Sequence, residues 1–297
     1  MELRLLRYFW TIAEEENISR AAERLHVTQP TLSRQLRELE QELGTPLFER
    51  QSKGLVLTDA GLFLKSRAGE ILRLTQQTTQ EFVDRRQQLF SGHLAIGCVE
   101  ADNSDTLAMM LEDFVSDYPQ VTFHIFSSAS DIITDQLDKG LLDLAILLEP
   151  VNTDKYATLT LPRTEQWGLL VSKDAFVARQ SSVHPADLAG MPLMLSNRPE
   201  VQQLILDWSG LTRDQLNIIG TYNLSFNVLP LVTHQVAAAL MIAGALSNRQ
   251  PADTRFIPLA PTMQTNCVLV WRRDRLLTPV VHEFIHYFQQ AFGSAKA

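Results

Sequence analysis

The 297-residue chain has only two cysteines, Cys98 and Cys267, which lie far apart in apolar segments. We therefore expect reduced thiols on strands of the core and no disulfide between them. Neither cysteine has a cationic neighbour in the sequence to lower the pKa of its thiol, which argues against a redox switch. The sequence also lacks a Gly-rich phosphate loop, a G-x-S-x-G motif and a cysteine-based metal pattern. These absences argue against several large enzyme classes.

Positive charge is scarce, with 26 lysines and arginines against 34 acids and a net charge of −8. Because nonspecific affinity for nucleic acid comes from neutralised phosphates, an acidic protein must concentrate its arginines locally, and this balance favours specific binding by an oligomer over coating of DNA. No apolar run of about 18 residues and no signal peptide opens the chain, so we expect a cytosolic protein without a membrane partner. The length favours a small domain plus a larger two-lobed module.

Residues 19–43 predict two short helices joined by a tight turn, a helix-turn-helix. In the second helix an apolar stripe must be buried against other helices; it consists of Leu32, Leu36, Leu39 and Leu43. Thr28 is expected to cap this helix through its hydroxyl, and Pro30 is tolerated in the first turn. The opposite face carries side chains of the types that read base edges or clamp phosphates, namely Gln29, Ser33, Arg34 and Arg37. Many amphipathic helices with a polar face bind nothing, so the helix alone leaves DNA binding open.

The following segment favours DNA binding. Residues 46–50 and 55–57 read as two short strands around a glycine turn, a wing that would carry Arg50 and Lys53 to the DNA backbone or minor groove. A helix over residues 3–15 would supply the apolar face on which the other two helices pack, formed by Leu5, Leu6, Phe9, Ile12 and Ala13. A winged helix-turn-helix accounts for all of these features.

Residues 1–68 resemble the N-terminal domain of LysR-type transcriptional regulators. The resemblance rests on Ala21-Ala22, on the string V-T-Q-P-x-L-S-R-Q-L from Val27 to Leu36, on P-L-F-x-R from Pro46 to Arg50, and on Leu57-Thr58 with Ala60-Gly61. It implies an α/β multi-domain protein, with a winged helix-turn-helix and a linker helix followed by two α/β lobes like a periplasmic-binding-protein effector domain. The DNA-contacting residues that it implies are Thr28, Gln29, Pro30, Thr31, Ser33, Arg34, Arg37, Arg50 and Lys53.

A long helix is expected from Thr58, which can cap it, to about Leu89, because this segment lacks proline. An apolar 4-3 rhythm suits pairing with a second copy; its members include Leu64, Ala68, Ile71, Thr75 and Phe82. The alternative is a helix that packs on its own C-terminal lobe. The family resemblance favours dimerisation, which also supplies the two-fold symmetry of a two-half-site operator.

Beyond Ser91 and Gly92 the pattern alternates between strands and helices, which implies parallel sheets. Strands are expected over residues 94–99, 121–125, 144–148, 167–171, 191–195, 218–222, 240–243 and 267–271, and helices over 107–115, 132–137, 200–208, 228–238 and 278–292. The resulting division is a DNA-binding domain 1–58, a linker helix 59–90, lobe I from 91–162 with 266–297, and lobe II from 163–265.

Ligands of open α/β sheets bind beyond the carboxyl ends of the strands. The candidate effector-binding residues at these ends are Glu100, Asp102, Ser104, Ser128, Ser130, Ser196, Asn197 and Asn223, with Arg198 following the same strand as Ser196. Ser130 is expected to cap the next helix, and in the family a serine or threonine at the matching position often holds an effector's acid group. Leu148 replaces an arginine found in some aromatic-acid sensors, and with the charges of Glu100 and Asp102 this favours a neutral, zwitterionic or cationic effector.

Two features keep alternatives open. The family usually has glycines near Ala239 and Met241, so a narrowed or filled cleft would leave a ligand-independent regulator. Residues 282–286 match H-E-x-x-H, the pattern of a zinc-dependent hydrolase, but no third ligand follows, and His282 and His286 are expected to point away from the apolar stripe of their helix. We therefore predict a regulator, not an enzyme, without cofactor. Its partners would be promoter DNA, itself as a dimer or tetramer, RNA polymerase and an unidentified small effector.

Overall fold

The computed structural model describes residues 2–51, 54–87, 91–247 and 249–293. The chain divides into two compact units, Met1–Gln87 and Gln88–Ala297. Lys53, one of the predicted wing residues, lies outside the described residues, and the side chains of Arg50 and Phe82 lie outside the described part as well.

The N-terminal unit is a winged helix-turn-helix followed by a long helix. Its elements are α1 (Leu3–Glu15), α2 (Ile18–Arg24), α3 (Gln29–Leu43), β1 (Phe48–Gln51), β2 (Gly54–Leu57) and α4 (Asp59–Gln87). The five residues expected to form the inner face of α1 are all buried, as are Leu32, Leu36 and Leu39 of α3. β1 and β2 pair antiparallel and form the wing, with Arg50 opposite Leu55. The predicted fold of this unit is confirmed.

Three expectations about α3 and the helix ends are tested by the structure. Thr58 does cap α4, because the Gly61 N–H donates to its Oγ1 at 3.0 Å. Thr28 occupies the N-cap position of α3, but its hydroxyl pairs with the Thr31 hydroxyl at 2.8 Å and makes no capping bond, so that prediction is wrong. Leu43 is also not buried: it is the last residue of α3, beside the chain reversal at Gly44, and 40% of it is exposed.

The inner face of α4 packs on its own domain. Leu64 and Ala68 are 7% and 0% exposed and belong to the same apolar core as Leu6 and Phe9, while Ile71 is partly buried against that core. Leu64 and Ala68 are therefore already buried within the unit and offer no exposed surface to a second copy, whereas a place in a dimer seam stays a prediction for Ile71 and Thr75. Among the α4 side chains that the structure describes, the large apolar ones left exposed are Leu62, Phe63 and Leu74.

The C-terminal unit is built on a nine-stranded sheet with helices on its faces. Its elements are β3 (Gly92–Cys98), α5 (Asn103–Asp117), β4 (Val121–Ser127), α6 (Ser130–Asp138), β5 (Leu144–Leu148), β6 (Tyr156–Ser172), β7 (Leu193–Ser196), α7 (Pro199–Ser209), β8 (Ile218–Tyr222), α8 (Val228–Thr233), β9 (Ala238–Ile242), β10 (Thr254–Pro258), β11 (Gln264–Arg272) and α9 (Pro279–Phe292). The strand order is β4-β3-β5-β11-β6-β9-β7-β8, with β10 also paired to β6.

The long strand β6 belongs to two lobes. Its first part pairs antiparallel with β11, which also pairs with β5, and so joins the parallel strands β3, β4 and β5 into a first lobe. From Trp167 onward β6 pairs with β9 and β10, and parallel β7 and β8 complete a second lobe. The predicted alternation of strands and helices is confirmed. Three details differ: the first part of β6 and all of β10 were not anticipated, and the helix expected over residues 228–238 ends at Thr233.

Among the residues described, none of the helices is both long enough and apolar enough to span a membrane.

Candidate DNA-reading surface and interlobe cavity

The outer face of α3 presents its polar residues to solvent. Gln29, Arg34 and Arg37 are exposed, as are Thr28 and Pro30, while Thr31 and Ser33 are partly exposed. Pro30 stands in the first turn, where no intrahelical partner awaits an N–H. Arg34 is held loosely, with its Nε 3.7 Å from the Glu38 carboxylate and 71% of its side chain exposed. An exposed ion pair of this kind is worth little, so Arg34 is free to exchange Glu38 for a phosphate.

The orientation of α3 is fixed by contacts on its opposite side. Gln35 is buried and donates to the Glu38 carboxylate. The Glu40 carboxylate accepts a 2.8 Å hydrogen bond from the Leu47 N–H, which ties the end of α3 to the entry of the wing. Sequence reasoning did not single out Glu40, because a glutamate in a polar stretch of helix looks like an ordinary solvated residue. The exposed face of α3 is therefore presented by a rigid support.

A cavity lies between the two lobes of the C-terminal unit. Its lining includes five of the eight predicted effector residues, namely Glu100, Ser128, Ser130, Ser196 and Asn223. Arg198, which follows the same strand as Ser196, and Met241, which was expected to narrow the cleft, also line it, together with Trp167 and Tyr222. The other three predicted residues are not part of the lining. Asp102 accepts from Ser247, Ser104 is exposed with its Oγ 3.9 Å from Cys98 Sγ, and Asn197 is exposed, with its N–H bonded to the Tyr222 carbonyl.

Ser130 reaches the cavity as a buried hydroxyl without a partner. It is the first residue of α6, and Ala129 occupies the N-cap position, so the expected cap is wrong. The residue is 1% exposed, and within the part of the chain that the structure describes its Oγ has no hydrogen-bond partner. A buried polar atom without a partner costs about 1–3 kcal/mol, which a ligand atom placed opposite it would recover.

Arg198 brings a buried positive charge to the same cavity. Only 6% of the residue is exposed, and its guanidinium donates to the carbonyl oxygens of Leu148, at 3.2 Å, and Pro150. Burial lowers the pKa of Arg198, and the charges of Glu200 and Asp131 oppose that change. Arginine nevertheless stays protonated in proteins. The guanidinium is thus held by carbonyl groups of the first lobe, and no carboxylate of the described ranges is hydrogen-bonded to it.

The acids at the cleft are engaged by the opposite lobe. The Glu100 carboxylate accepts from the Ser225 N–H at 2.8 Å and from its hydroxyl at 2.5 Å, and Arg249 lies 3.7 Å from it. The Asp102 carboxylate accepts from the Ser247 hydroxyl at 2.6 Å. These bonds offset the negative charge that was expected to repel an anion.

Both cysteines are buried and unpaired, on β3 and β11 as expected. Burial raises the pKa of the Cys98 thiol to about 11 and raises that of Cys267 as well, where the charge of Glu165 adds to the effect. The thiolate is the form that reacts with oxidants, so neither residue is activated for redox sensing.

The H-E-x-x-H segment lies on α9, whose apolar side faces the core through Val281, Phe284, Ile285 and Phe288. His282 and His286 are exposed, and His286 Nε2 is 2.7 Å from the Gln290 side-chain nitrogen. Across the described ranges there is no group of three histidine, cysteine or acidic side chains placed to hold a metal ion. The geometry gives the zinc-hydrolase alternative no support.

Two family models match the chain. The model described as the LysR substrate binding domain matches residues 87–293, and that of the bacterial regulatory helix-turn-helix protein, lysR family, matches residues 3–62. The chain therefore belongs to the LysR family and is a DNA-binding transcriptional regulator.

Two curated relatives and one solved structure illustrate the similarity. The regulator BsdA of Bacillus subtilis is 28% identical over 97% of this chain and 100% of its own length. The dual regulator OxyR of Escherichia coli is 32% identical over 66% of this chain and 63% of its own length. CbnR, solved in complex with its target DNA, has a TM-score of 0.74 at 22% identity, covering 98% of this chain and 100% of that chain, which shows the shared fold.

Proposed function

We propose that this regulator binds promoter DNA through the exposed face of α3 and is controlled by a small organic acid in the interlobe cavity. The observation that carries DNA binding is the sorting of α3: buried leucines on one side, and Gln29, Ser33, Arg34 and Arg37 open to solvent on the other. A helix supported in this way by a winged domain fits the major groove. The CbnR complex, a structure of the same fold with its target DNA, supports this assignment.

We propose that DNA is bound by a dimer or tetramer in the cytoplasm, with RNA polymerase as a further partner. The exposed apolar residues of α4, Leu62, Phe63 and Leu74, are the surface that we assign to the second copy. These three residues take the place of Leu64 and Ala68, which lie on the inner face of α4 and were expected to contact the second copy. Thr75 bonds the Ile71 carbonyl through its hydroxyl at 2.8 Å, which makes it a weak contributor to any apolar seam.

The effector class follows from the cavity. Arg198 supplies a buried cation, Ser130 an unpartnered hydroxyl, and α6 begins beside both with its free N–H groups. All three features favour a carboxylate, so an acid replaces the neutral or cationic effector that the charges of Glu100 and Asp102 suggested. Ala239 and Met241 pack in the same apolar cluster, and Met241 also lines the cavity. A bulky Met241 favours a small ligand and keeps ligand-independent regulation as the second candidate.

The test begins with selection of bound sequences from a random DNA library by the full-length protein. We expect an enriched site with two related half-sites, and a failure to enrich any sequence would contradict promoter recognition. Operator affinity is then measured with a panel of small mono- and dicarboxylic acids and with their amides as matched neutral controls. An acid that changes operator affinity while its amide does not would support the effector assignment. If no member of the panel acts, ligand-independent regulation is favoured.

A further inference from the structure

Glu165 is a fully buried acid at the place where the two lobes share β6. Its residue is 0% exposed, and it lies on β6 opposite Thr265 of β11, two residues before the strand begins to pair with the second lobe. Its Oε1 accepts a 2.8 Å hydrogen bond from the Asp102 N–H, in the loop that follows β3. Its Oε2 is buried and has no hydrogen-bond partner among the described residues. A carboxylate with an unpartnered oxygen in this position is costly.

The second lobe closes over this carboxyl group at Gly244, in the turn that follows β9. A Cβ atom built on Gly244 would lie 2.3 Å from Glu165 Oε2 and 2.2 Å from the Asp102 nitrogen, so only glycine permits this approach. The segments Ala101–Asp102, Glu165 and Gly244 thus form one contact, which we call the interlobe contact. The nearby bond from Ser247 to Asp102 belongs to the same closure.

The groups that face Glu165 disfavour its charged form. From the loop after β3, Asp102 brings a negative charge, and from β11 the neutral thiol of Cys267 lies 4.0 Å from Oε1. Arg163, also on β6, is directed to the Asp105 carboxylate at 3.0 Å and to the Asp102 carbonyl at 3.2 Å. Burial, and next the charge of Asp102, raise the pKa of Glu165 to about 7, although the backbone amides of Asp102, Asn103 and Gly244 oppose this rise.

We propose that Glu165 makes the interlobe contact proton-dependent, so that its neutral acid holds the Gly244 turn against Asp102 and its ionisation loosens the two lobes. When the lobes separate, water reaches the carboxyl group and its pKa returns towards the ordinary value. The closed form therefore binds the proton more tightly. The extra stability that protonated Glu165 gives the closed form over the open form is complete below about pH 4. It declines as the pH rises, and it is lost above the pKa of Glu165 in the closed form, which is about 7. Lobe separation thus becomes easier as the cell interior becomes more alkaline.

Hydrogen exchange of the full-length protein, without DNA or ligand, tests this proposal independently of the proposed function. After correction for intrinsic exchange, protection of amides in residues 243–247 and 101–103 should fall about tenfold between pH 6 and pH 8. Amides of β5 should not fall in parallel, because they report global opening. Glu165→Gln, which mimics the neutral acid, should keep the protection high at both pH values. Glu112→Gln, an exposed acid on α5, should behave like the parent.

A second variant keeps the proposal testable if Glu165→Gln does not fold. Asp102→Asn removes the neighbouring charge and retains an oxygen for Ser247, so the midpoint of the loss of protection should move to lower pH. Three results would overturn the proposal: protection that does not change between pH 6 and pH 8, the same pH dependence in Glu165→Gln, or a parallel loss of protection in β5. An unmoved midpoint in Asp102→Asn would do so as well.

Discussion

The guanidinium of Arg198, in the second lobe, donates a 3.2 Å hydrogen bond to the carbonyl oxygen of Leu148, the last residue of β5 in the first lobe. A carbonyl satisfies only part of the charge of a buried arginine, because it carries a dipole and no net charge. A ligand carboxylate that enters the cavity would neutralise the remaining charge of Arg198. The same bond also means that the occupant and the spacing of the lobes affect each other, which is the differential binding that a regulatory change requires.

The first prediction concerns Arg198 and the acid-binding cavity. Arg198→Met retains much of the apolar stem and removes the charge, and we expect it to abolish the response to any acid found in the carboxylate panel. Ser130→Ala should weaken the binding of that acid by about tenfold, which corresponds to the loss of one hydrogen bond. Calorimetry on the full-length protein measures both effects. Ser104→Ala, at an exposed residue outside the cavity lining, is the control. Undiminished acid binding by Arg198→Met would contradict the assignment.

The second prediction concerns base reading by α3. Gln29→Ala and Ser33→Ala should lower affinity for the selected operator and leave affinity for scrambled DNA unchanged, since a bidentate base contact is worth about 1–3 kcal/mol of discrimination. Arg34→Ala and Arg37→Ala should weaken binding to both DNAs and reduce the salt dependence, because each removes a phosphate contact. Titration at two salt concentrations distinguishes the groups. Four variants with parental affinity would show that α3 does not read the DNA.

The third prediction concerns the exposed apolar residues of α4 as the contact with a second copy of the chain. Phe63 and Leu74 are 66% and 40% exposed, and the guanidinium of Arg67 lies 5.7 Å from the ring centroid of Phe63. Phe63→Asp combined with Leu74→Asp should place charge in a dry interface and give smaller particles in light scattering, with weaker operator binding. Leu276→Asp, which alters an 84% exposed leucine in the C-terminal unit, controls for added charge. An unchanged particle size in the double variant would mean that the copies meet elsewhere.

The fourth prediction concerns stability of the first lobe. Asp138, the last residue of α6, accepts from the Tyr156 hydroxyl at 2.7 Å, from Arg272 at 2.9 Å and from Lys155 at 2.7 Å. Burial alone would raise the pKa of Asp138, but the bonds from Lys155, Tyr156 and Arg272 bring it below its ordinary value. Asp138→Asn should lower the free energy of unfolding by about 1 kcal/mol at neutral pH, a modest value because the group is partly exposed.

The stabilising contribution of Asp138 should depend on pH, and the direction follows from its lowered pKa. With a lowered pKa in the folded state, the contribution of Asp138 is complete above about pH 4 and is lost as the pH falls further. The difference between parent and Asp138→Asn in denaturant titrations should therefore shrink in acid. Asp135→Asn changes a more exposed acid of α6 that pairs with Lys139, and we expect a smaller effect from it. Equal effects of the two substitutions would argue against the Asp138 cluster as a stabilising contact.

Periodicity was enough to predict most helices and the buried strands, because each has an apolar face of one period. Periodicity failed for the first part of β6 and for the end of the helix that was expected over residues 228–238. The first part of β6 does alternate, with Leu159 and Leu161 buried beside threonines, but the run is short and Pro162 interrupts it, so the strand was expected only from Trp167. The segment 228–238 is apolar except at Thr233, His234 and Gln235, and the helix ends at these polar residues, with Gln235 in the left-handed region at φ 58°.

The interlobe cavity was predicted only in part, for a physical reason. Residues that follow strands are visible in the sequence, and this rule placed Glu100, Ser130 and Ser196 at the cavity. The sequence does not show which of these residues form hydrogen bonds across the cleft, because such bonds join distant segments, as Glu100 and Ser225 do. A charge balance read from the sequence therefore overestimated the negative charge of the cleft and did not count Arg198, which follows the same strand as Ser196 but whose burial at the cavity the sequence does not show.

The pairing of β5 with β11 has a consequence for how the protein is made. Leu144–Leu148 emerges from the ribosome long before Gln264–Arg272, its neighbour in the sheet, and α9 follows later still. The first lobe therefore remains an unfinished sheet with an open apolar edge while the whole second lobe is synthesised. Such an edge invites wrong pairing and chaperone binding during translation. Truncations that remove the last 34 residues should consequently yield aggregated protein, however well the second lobe folds.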